Sequence, residues 1–279
     1  MTATTEATRA KSRPRRGVWS GVRRWYGDHQ RLVLGIVGIL IVLVPWELVV
    51  RLGLVKAILI SSPTAVAAQF VTEFGRGRIW GDIWASLRVW LVGYLVASVC
   101  GIVLGLAAGW YRRVGLIAVP WLNGVYAAPD LAFVPIFILW FGLGFVFKVW
   151  IVFIGVIIYV ALNTIAGVQA TEDRFLAVAN TYGASRLTIF RTIVLPGSVP
   201  YIMTGLRVAS GRAIVGVIGA EFISANEGIG FLISISGTTL QTARVFVGII
   251  LLAAFGIILN EVLGRVESRF DAWRREVYD

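Results

Sequence analysis

The chain has 279 residues, 58% of them hydrophobic and 15% charged, with a mean hydropathy of +0.82. Soluble domains carry about 25% charged residues, so this composition excludes an ordinary water-soluble domain and fits a chain solvated by lipid. The formal charge of +11 does not indicate nucleic-acid binding, because the arginines stand between long apolar runs instead of on a separate basic domain.

Residues 1–31 read as an Arg-rich tail, and positions 1–15 lack any periodicity and are expected to be disordered. Trp19, Trp25 and Tyr26 interleave with Arg23 and Arg24, which suits either an interfacial helix or a plain positive flank. Leu32–Val50 is close to the ~20 apolar residues a spanning helix needs. It continues into Pro45, Trp46, Glu47 and Arg51 without a small-residue cleavage site, so it reads as an uncleaved first span. The same length criterion predicts spans at Trp84–Trp110, Leu116–Phe141, Val149–Val168, Tyr201–Ile223 and Val245–Leu263. The fold class is therefore all-α, a polytopic membrane bundle of about six helices.

The third span is interrupted by Pro120, Pro129 and Pro135. Proline removes a backbone donor, and broken backbone survives in a membrane only where protein or water covers the freed carbonyls. This segment is expected to face a partner helix or a cavity.

Cys100 and His29 are each single, so no intrachain disulfide and no Cys/His zinc site can form. Cys100 lies in an apolar run and reads as a buried packing residue. A membrane-embedded enzyme is disfavoured: one His and one Cys leave little from which to build a nucleophile–base pair or a metal centre. A phosphate loop is also missing, because none of Lys11, Lys56 and Lys148 follows a glycine.

Charge asymmetry sets the expected orientation. With the N-terminus inside, seventeen Lys and Arg fall on inner segments, including Arg112, Arg113, Arg174, Arg186, Arg191 and Arg265. Six fall outside: Arg51, Lys56, Arg76, Arg78, Lys148 and Arg244. The excess places both termini in the cytoplasm, with a C-terminal tail at 265–279.

The long inner segment at 169–200 is not a span. Phe175, Val178, Ala179 and Tyr182 recur at helical spacing, and Leu187, Phe190 and Val194 form a second set beyond Gly183. This predicts two short amphipathic helices joined at the glycine, the second ended by Pro196. Such a hairpin lies on lipid headgroups or fits a groove on another protein.

Intramembrane ionisable residues are functional candidates by default. Arg88, Arg207, Arg212 and Glu221 fall within or at the ends of spans. Arg207 and Glu221 share one face but lie ~21 Å apart along it, too far to pair. Snorkelling of Arg207 and end-capping by Glu221 is the plain structural alternative. Asp130, directly after Pro129, either caps a helix segment broken there or lines a path through the membrane.

The hairpin resembles the cytoplasmic coupling loop of binding-protein-dependent ABC permeases. Gly183, Ile193, Leu195 and Pro196 match the family pattern, while its Glu-Ala-Ala triplet is replaced by Ala177, Val178 and Ala179. SSPTAV at 61–66, ASLRVWLVGYL at 85–95, VPIFILWFGLG at 134–144, LPGSVPYIMTGLRVA at 195–209 and AEFISANEGIGFL at 220–232 are similar to the nitrate, taurine and aliphatic-sulfonate branch.

The resemblance implies a type I importer permease domain at 32–264 in a bacterial inner membrane. It implies that Ala177, Ala179, Gly183, Ala184, Arg186, Ile193, Leu195 and Pro196 form the ATPase-coupling loop. It further implies a cytoplasmic ATPase dimer holding ATP and Mg2+, an external solute-binding protein and a second permease copy. No cofactor is expected on this chain itself. The loss of the family glutamate at Ala177 would make docking apolar or shift it to Glu172 or Asp173. The substrate implied is a sulfonate, taurine or nitrate. Asp130 instead favours a zwitterion or an amine-bearing, thiamine-precursor-like heterocycle. A secondary transporter is the rival class, but the chain shows no internal repeat.

Overall fold

A computed structural model describes the backbone of residues 18–223 and 226–278, and the side chains of 30–172, 174–223 and 226–268. The readings for positions 1–15, and for the side chains of Trp19, Arg23, Arg24, Trp25 and Tyr26, lie outside the described residues. Residues 1–56 and 57–279 are separate units. The first contains helix α1 (Val18–Arg51), apolar from residue 32 onward and interrupted by Pro45 without ending there.

The second unit holds ten further helices among its described residues. They are α2 (Pro63–Gly75), α3 (Ile79–Trp110), α4 (Arg112–Ala127), α5 (Val134–Phe141), α6 (Phe145–Gln169), α7 (Asp173–Thr181), α8 (Arg186–Ile189), α9 (Leu195–Ile223), α10 (Ile229–Thr238) and α11 (Thr242–Tyr278). A 3-10 turn at Asp130–Phe133 precedes α5, and a π turn at Phe190–Val194 precedes α9.

Four helices are long and apolar enough to cross a bilayer: α1, α3, α6 and α11. The broken third span is α4 plus the 3-10 turn and α5, bent by 95° at Ala128–Pro129. The fifth predicted span is α9, whose 29 residues extend ~43 Å and carry Arg207, Arg212 and Glu221. Of the three prolines, only Pro129 marks the break. Pro120 sits inside α4, and Pro135 lies in the first turn of α5, where its missing N–H has no partner to lose.

The centre of this unit is α3 against α6. Gly93, Gly101, Gly105 and Gly109 of α3 face Val152, Val160, Thr164 and Val168 of α6 at a constant offset, so the two helices run parallel. A Cβ on Gly105 would stand 2.5 Å from Thr164 Cβ and 2.8 Å from the Ala161 carbonyl. Small residues allow this approach, the usual basis of helix association where lipid supplies no hydrophobic drive. α9 packs antiparallel on the other side of α6, with Gly205 against Asn163 and Gly216 against Val152. Val89, Trp90, Tyr94, Val152, Val156 and Val217 fill the junction of these three helices.

Two elements shorter than a span were not predicted. The SSPT passage is the start of α2: Ser62 Oγ accepts from the Ala65 N–H at 3.2 Å, and Pro63 occupies the first helical position. α2 is held to α11 by a buried Arg244–Glu73 ion pair of 3.1 Å and by the shared core of Val66, Ile79 and Val247. The second element is α10, described below. Cys100 corrects its reading: it is exposed on α3 and packs into no core.

Candidate functional site: the coupling hairpin and two intramembrane polar clusters

The hairpin forms as predicted at its turn. α7 ends at Thr181, and Gly183 takes φ +73°, a conformation that glycine adopts without cost. Ser185 caps α8 by accepting from the Thr188 N–H at 3.2 Å.

The apolar stripe, however, divides between two faces. Leu176, Ala179, Ala184, Ile189, Phe190 and Val194 face inward, onto Leu106 and Trp110 of α3 and Val168 of α6. Phe175, Val178, Tyr182 and Leu187 stand outward, Tyr182 at 87% exposure. The side chains of Ala177 and Arg186 are also exposed, and Ile193, Leu195 and Pro196 are half-buried.

Pro196 does not end the second helix, contrary to expectation. The π turn passes directly into α9, so helical structure runs without a loop from Arg186 to Ile223. A π turn shifts the bonding register and accommodates local irregularity, so the missing Pro196 donor sits where the ladder is already displaced.

The first intramembrane cluster surrounds the start of α10. Its leading amides find no caps in their own segment and instead receive three acceptors from other helices. The Gly228 N–H donates to Asp82 Oδ1 at 3.1 Å, the Ile229 N–H to Ser86 Oγ at 2.9 Å, and the Gly230 N–H to Glu221 Oε2 at 2.8 Å. Ser86 Oγ lies 2.8 Å from Glu221 Oε1 and donates to that carboxylate. Glu221 is fully buried, at 0% exposure. The positive end of α10 and the donors aimed at the carboxylates compensate their burial. Lys148, 4% exposed, donates to the Glu227 carbonyl at 3.4 Å. It belongs to the buried cluster, in the first turn of α6. Arg88 closes the edge, 3.2 Å from Glu227 Oε1 and 4.9 Å from the centre of the Phe145 ring. Glu221 therefore caps, but it caps α10 and not its own helix.

The second cluster is at the broken span. Asp130 is not a cap: Pro129 is the N-cap, and no side chain bonds the first turn. The Asp130 carboxylate leans on Gly155 of α6, where a Cβ would stand 3.0 Å from Oδ2. It lies within electrostatic reach of Arg212, whose guanidinium stacks 4.8 Å from the centre of the Tyr159 ring. Tyr126 completes the set, 5.3 Å from Tyr159 between ring centres.

The four predicted path residues thus occupy three places. Glu221 and Arg88 share the α10 cluster and Asp130 has its own. Arg207 ties α9 to α11 through Asn260 at 3.2 Å and Glu267 at 2.9 Å. Asp82, Ser86 and Lys148 were not anticipated. Their partners are backbone groups far along the chain, and the only local signal was a carboxylate and a hydroxyl four residues apart at the head of an apolar helix.

The second unit thus carries a broken span, a half-length helix held by buried polar side chains at one end of α9, and an exposed hairpin at the other end. Solved structures alike in fold include an amino acid ABC transporter, with a TM-score of 0.56 and 18% identity over 72% of this chain and 96% of that one. An inward-facing MetNI methionine ABC transporter follows, with a TM-score of 0.55 and 16% identity over 67% and 96%. Residues 101–272 match the family described as binding-protein-dependent transport system inner membrane component, and the chain belongs to that family. Among its relatives is the taurine transport system permease protein TauC of Escherichia coli, 29% identical over 91% of this chain and 94% of that one. A permease protein assigned to aliphatic sulfonates transport, SsuC of Escherichia coli, is 34% identical over 82% and 87%. The formylaminopyrimidine transport permease protein ThiX of Halalkalibacterium halodurans is 27% identical over 85% and 94%.

Proposed function

We propose that this chain forms the membrane path of an ATP-driven importer and that α7–α8 docks the ATPase supplying the energy. One observation carries the docking assignment: Phe175, Val178, Tyr182 and Leu187 project outward from a hairpin whose opposite face is fixed to α3 and α6. Exposed apolar side chains at helical spacing suit a groove on a protein partner. They stand on the same exposed side as Ala177, where the family has a carboxylate. ATP and Mg2+ belong to that partner, an external binding protein delivers the solute, and a second permease copy completes the path. Both termini lie on the Arg-rich, cytoplasmic side.

The test co-expresses the chain with its ATPase subunit and carries Val178→Asp and Tyr182→Asp together. Co-purification is expected to fall at least ~10-fold, as for paired hot-spot losses. Unchanged co-purification and transport would overturn the assignment.

The substrate class proposed is a small organic sulfonate, supported by the taurine and aliphatic-sulfonate relatives. One observation favours a second reading. Asp130 and Arg212 set opposite charges near one another beside two tyrosines, an arrangement suited to a zwitterion or an amine-bearing ring. The formylaminopyrimidine relative points the same way.

A further inference from the structure

Two adjoining hollows flank the point where the apolar run of α3 stops. One is a cleft of about 640 Å³ between the α3–α4 turn and the hairpin, lined by Trp110, Arg112, Arg113, Asn180 and Arg186. The other is a groove of about 430 Å³ lined by Gly109, Gly115, Leu116, Val119 and Pro120. They share Trp110 and Arg112, so a polar chamber opens beside an apolar one.

Charge and position limit what fits. Among the described residues, no acidic side chain lines either hollow. Arg112, Arg113 and Arg186 enter no ion pair among the described residues, although arginines elsewhere in the chain do. Tyr111 leaves the first turn of α4 without a side-chain cap, which adds to the positive character of the cleft. Beyond the groove, α4 exposes Leu116, Ile117 and Trp121, a surface for hydrocarbon. The occupant therefore needs an anionic head and an apolar tail joined within a few ångströms. Inorganic phosphate would leave the groove empty. A choline lipid would bring a cation against three guanidiniums.

We propose that this is a binding site for an anionic glycerophospholipid, with its phosphate against Arg112, Arg113 and Arg186 and one acyl chain along Gly109–Val119. The fork of arginine donors matches phosphate oxygens. Because Arg186 begins α8, the bound lipid ties the hairpin to the α3–α4 turn. The outward stripe of Tyr182 and Val178 is not part of the cleft, so hairpin docking and lipid binding are separable. The inference rests on the membrane reading alone and not on the import reading.

The full chain is reconstituted into nanodiscs of equal phosphatidylglycerol and phosphatidylcholine and re-extracted in mild detergent. Co-purified lipid is then measured by mass spectrometry. Wild type is expected to retain phosphatidylglycerol in excess. Each Arg→Gln change at 112, 113 or 186 should lower that excess about fivefold, the usual worth of one basic residue at an anionic surface. Val119→Phe, which fills the groove, should lower it with all three arginines in place. A variant with all three changed to Lys keeps the charge but loses the fork, and should retain an excess between those of wild type and the Arg→Gln variants. Retention in the mixing ratio by wild type would overturn the proposal, and that readout needs no variant. Displacement by excess inorganic phosphate together with insensitivity to Val119→Phe would mark a plain phosphate site and overturn it equally.

Discussion

Glu221 shows how one buried carboxylate organises a half-length helix. It accepts from the Gly230 N–H and the Ser86 hydroxyl, and Ser86 in turn accepts from the Ile229 N–H. Removing an acceptor leaves a buried donor unpaired, which costs about 1–3 kcal/mol. Ser86→Ala is expected to lower the melting midpoint in detergent. Glu221→Ala should lower it further, and Glu221→Gln, which keeps an acceptor for Gly230, should lower it least. A midpoint for Glu221→Ala equal to wild type would contradict the assigned bonds. Asp130 allows a functional prediction at the same scale. Asp130→Asn keeps the shape but removes the charge facing Arg212, so whole-cell uptake should shift in preference toward anionic solutes. Unchanged rate and preference would exclude Asp130 from the path.

Among elements, the α3–α6 contact leaves no room for added volume along its glycine face. Gly105→Val places a branched side chain where Thr164 and the Ala161 carbonyl already stand, and neither can retreat far in a close-packed pair. The variant is expected to lose most of its folded yield. Gly124→Ala, with open space around it, should express as wild type, and size-exclusion profiles of the two separate the cases. The spans were legible in the sequence because apolar length is a direct record of bilayer thickness. Legibility fell where that record is short or interrupted. α2 and α10 are shorter than a span, and α9 carries three charges because Glu221 finds its partners within the protein and Arg207 reaches α11. Periodicity found the hairpin but could not say which apolar residues face inward. Phe175 and Leu176 are neighbours in sequence and lie on opposite faces. The roles of Asp82, Ser86 and Lys148 were hidden for a related reason: each serves a backbone group on an element that sequence spacing does not connect to it.

For the whole molecule, the orientation is open to direct test. In a Cys100→Ser background, Thr188→Cys on the hairpin should react with a membrane-impermeant maleimide only in inside-out vesicles. Arg76→Cys, just beyond α2, should react only from the external side of intact cells. The reverse pattern would invert the proposed topology and place the hairpin out of reach of a cytoplasmic ATPase.

The π turn at Phe190–Val194 joins the hairpin directly to α9, with no loop between them. Mechanically, the hairpin is then the short arm of a lever whose long arm is a helix of 29 residues. A tilt of ~5° applied at the hairpin would displace the far end of that ~43 Å arm by ~4 Å. Glu221 stands at that far end, in contact with the head of α10. Were α10 to stay in place, a displacement on that scale would exceed the reach of a hydrogen bond and part the Gly230 amide from its carboxylate.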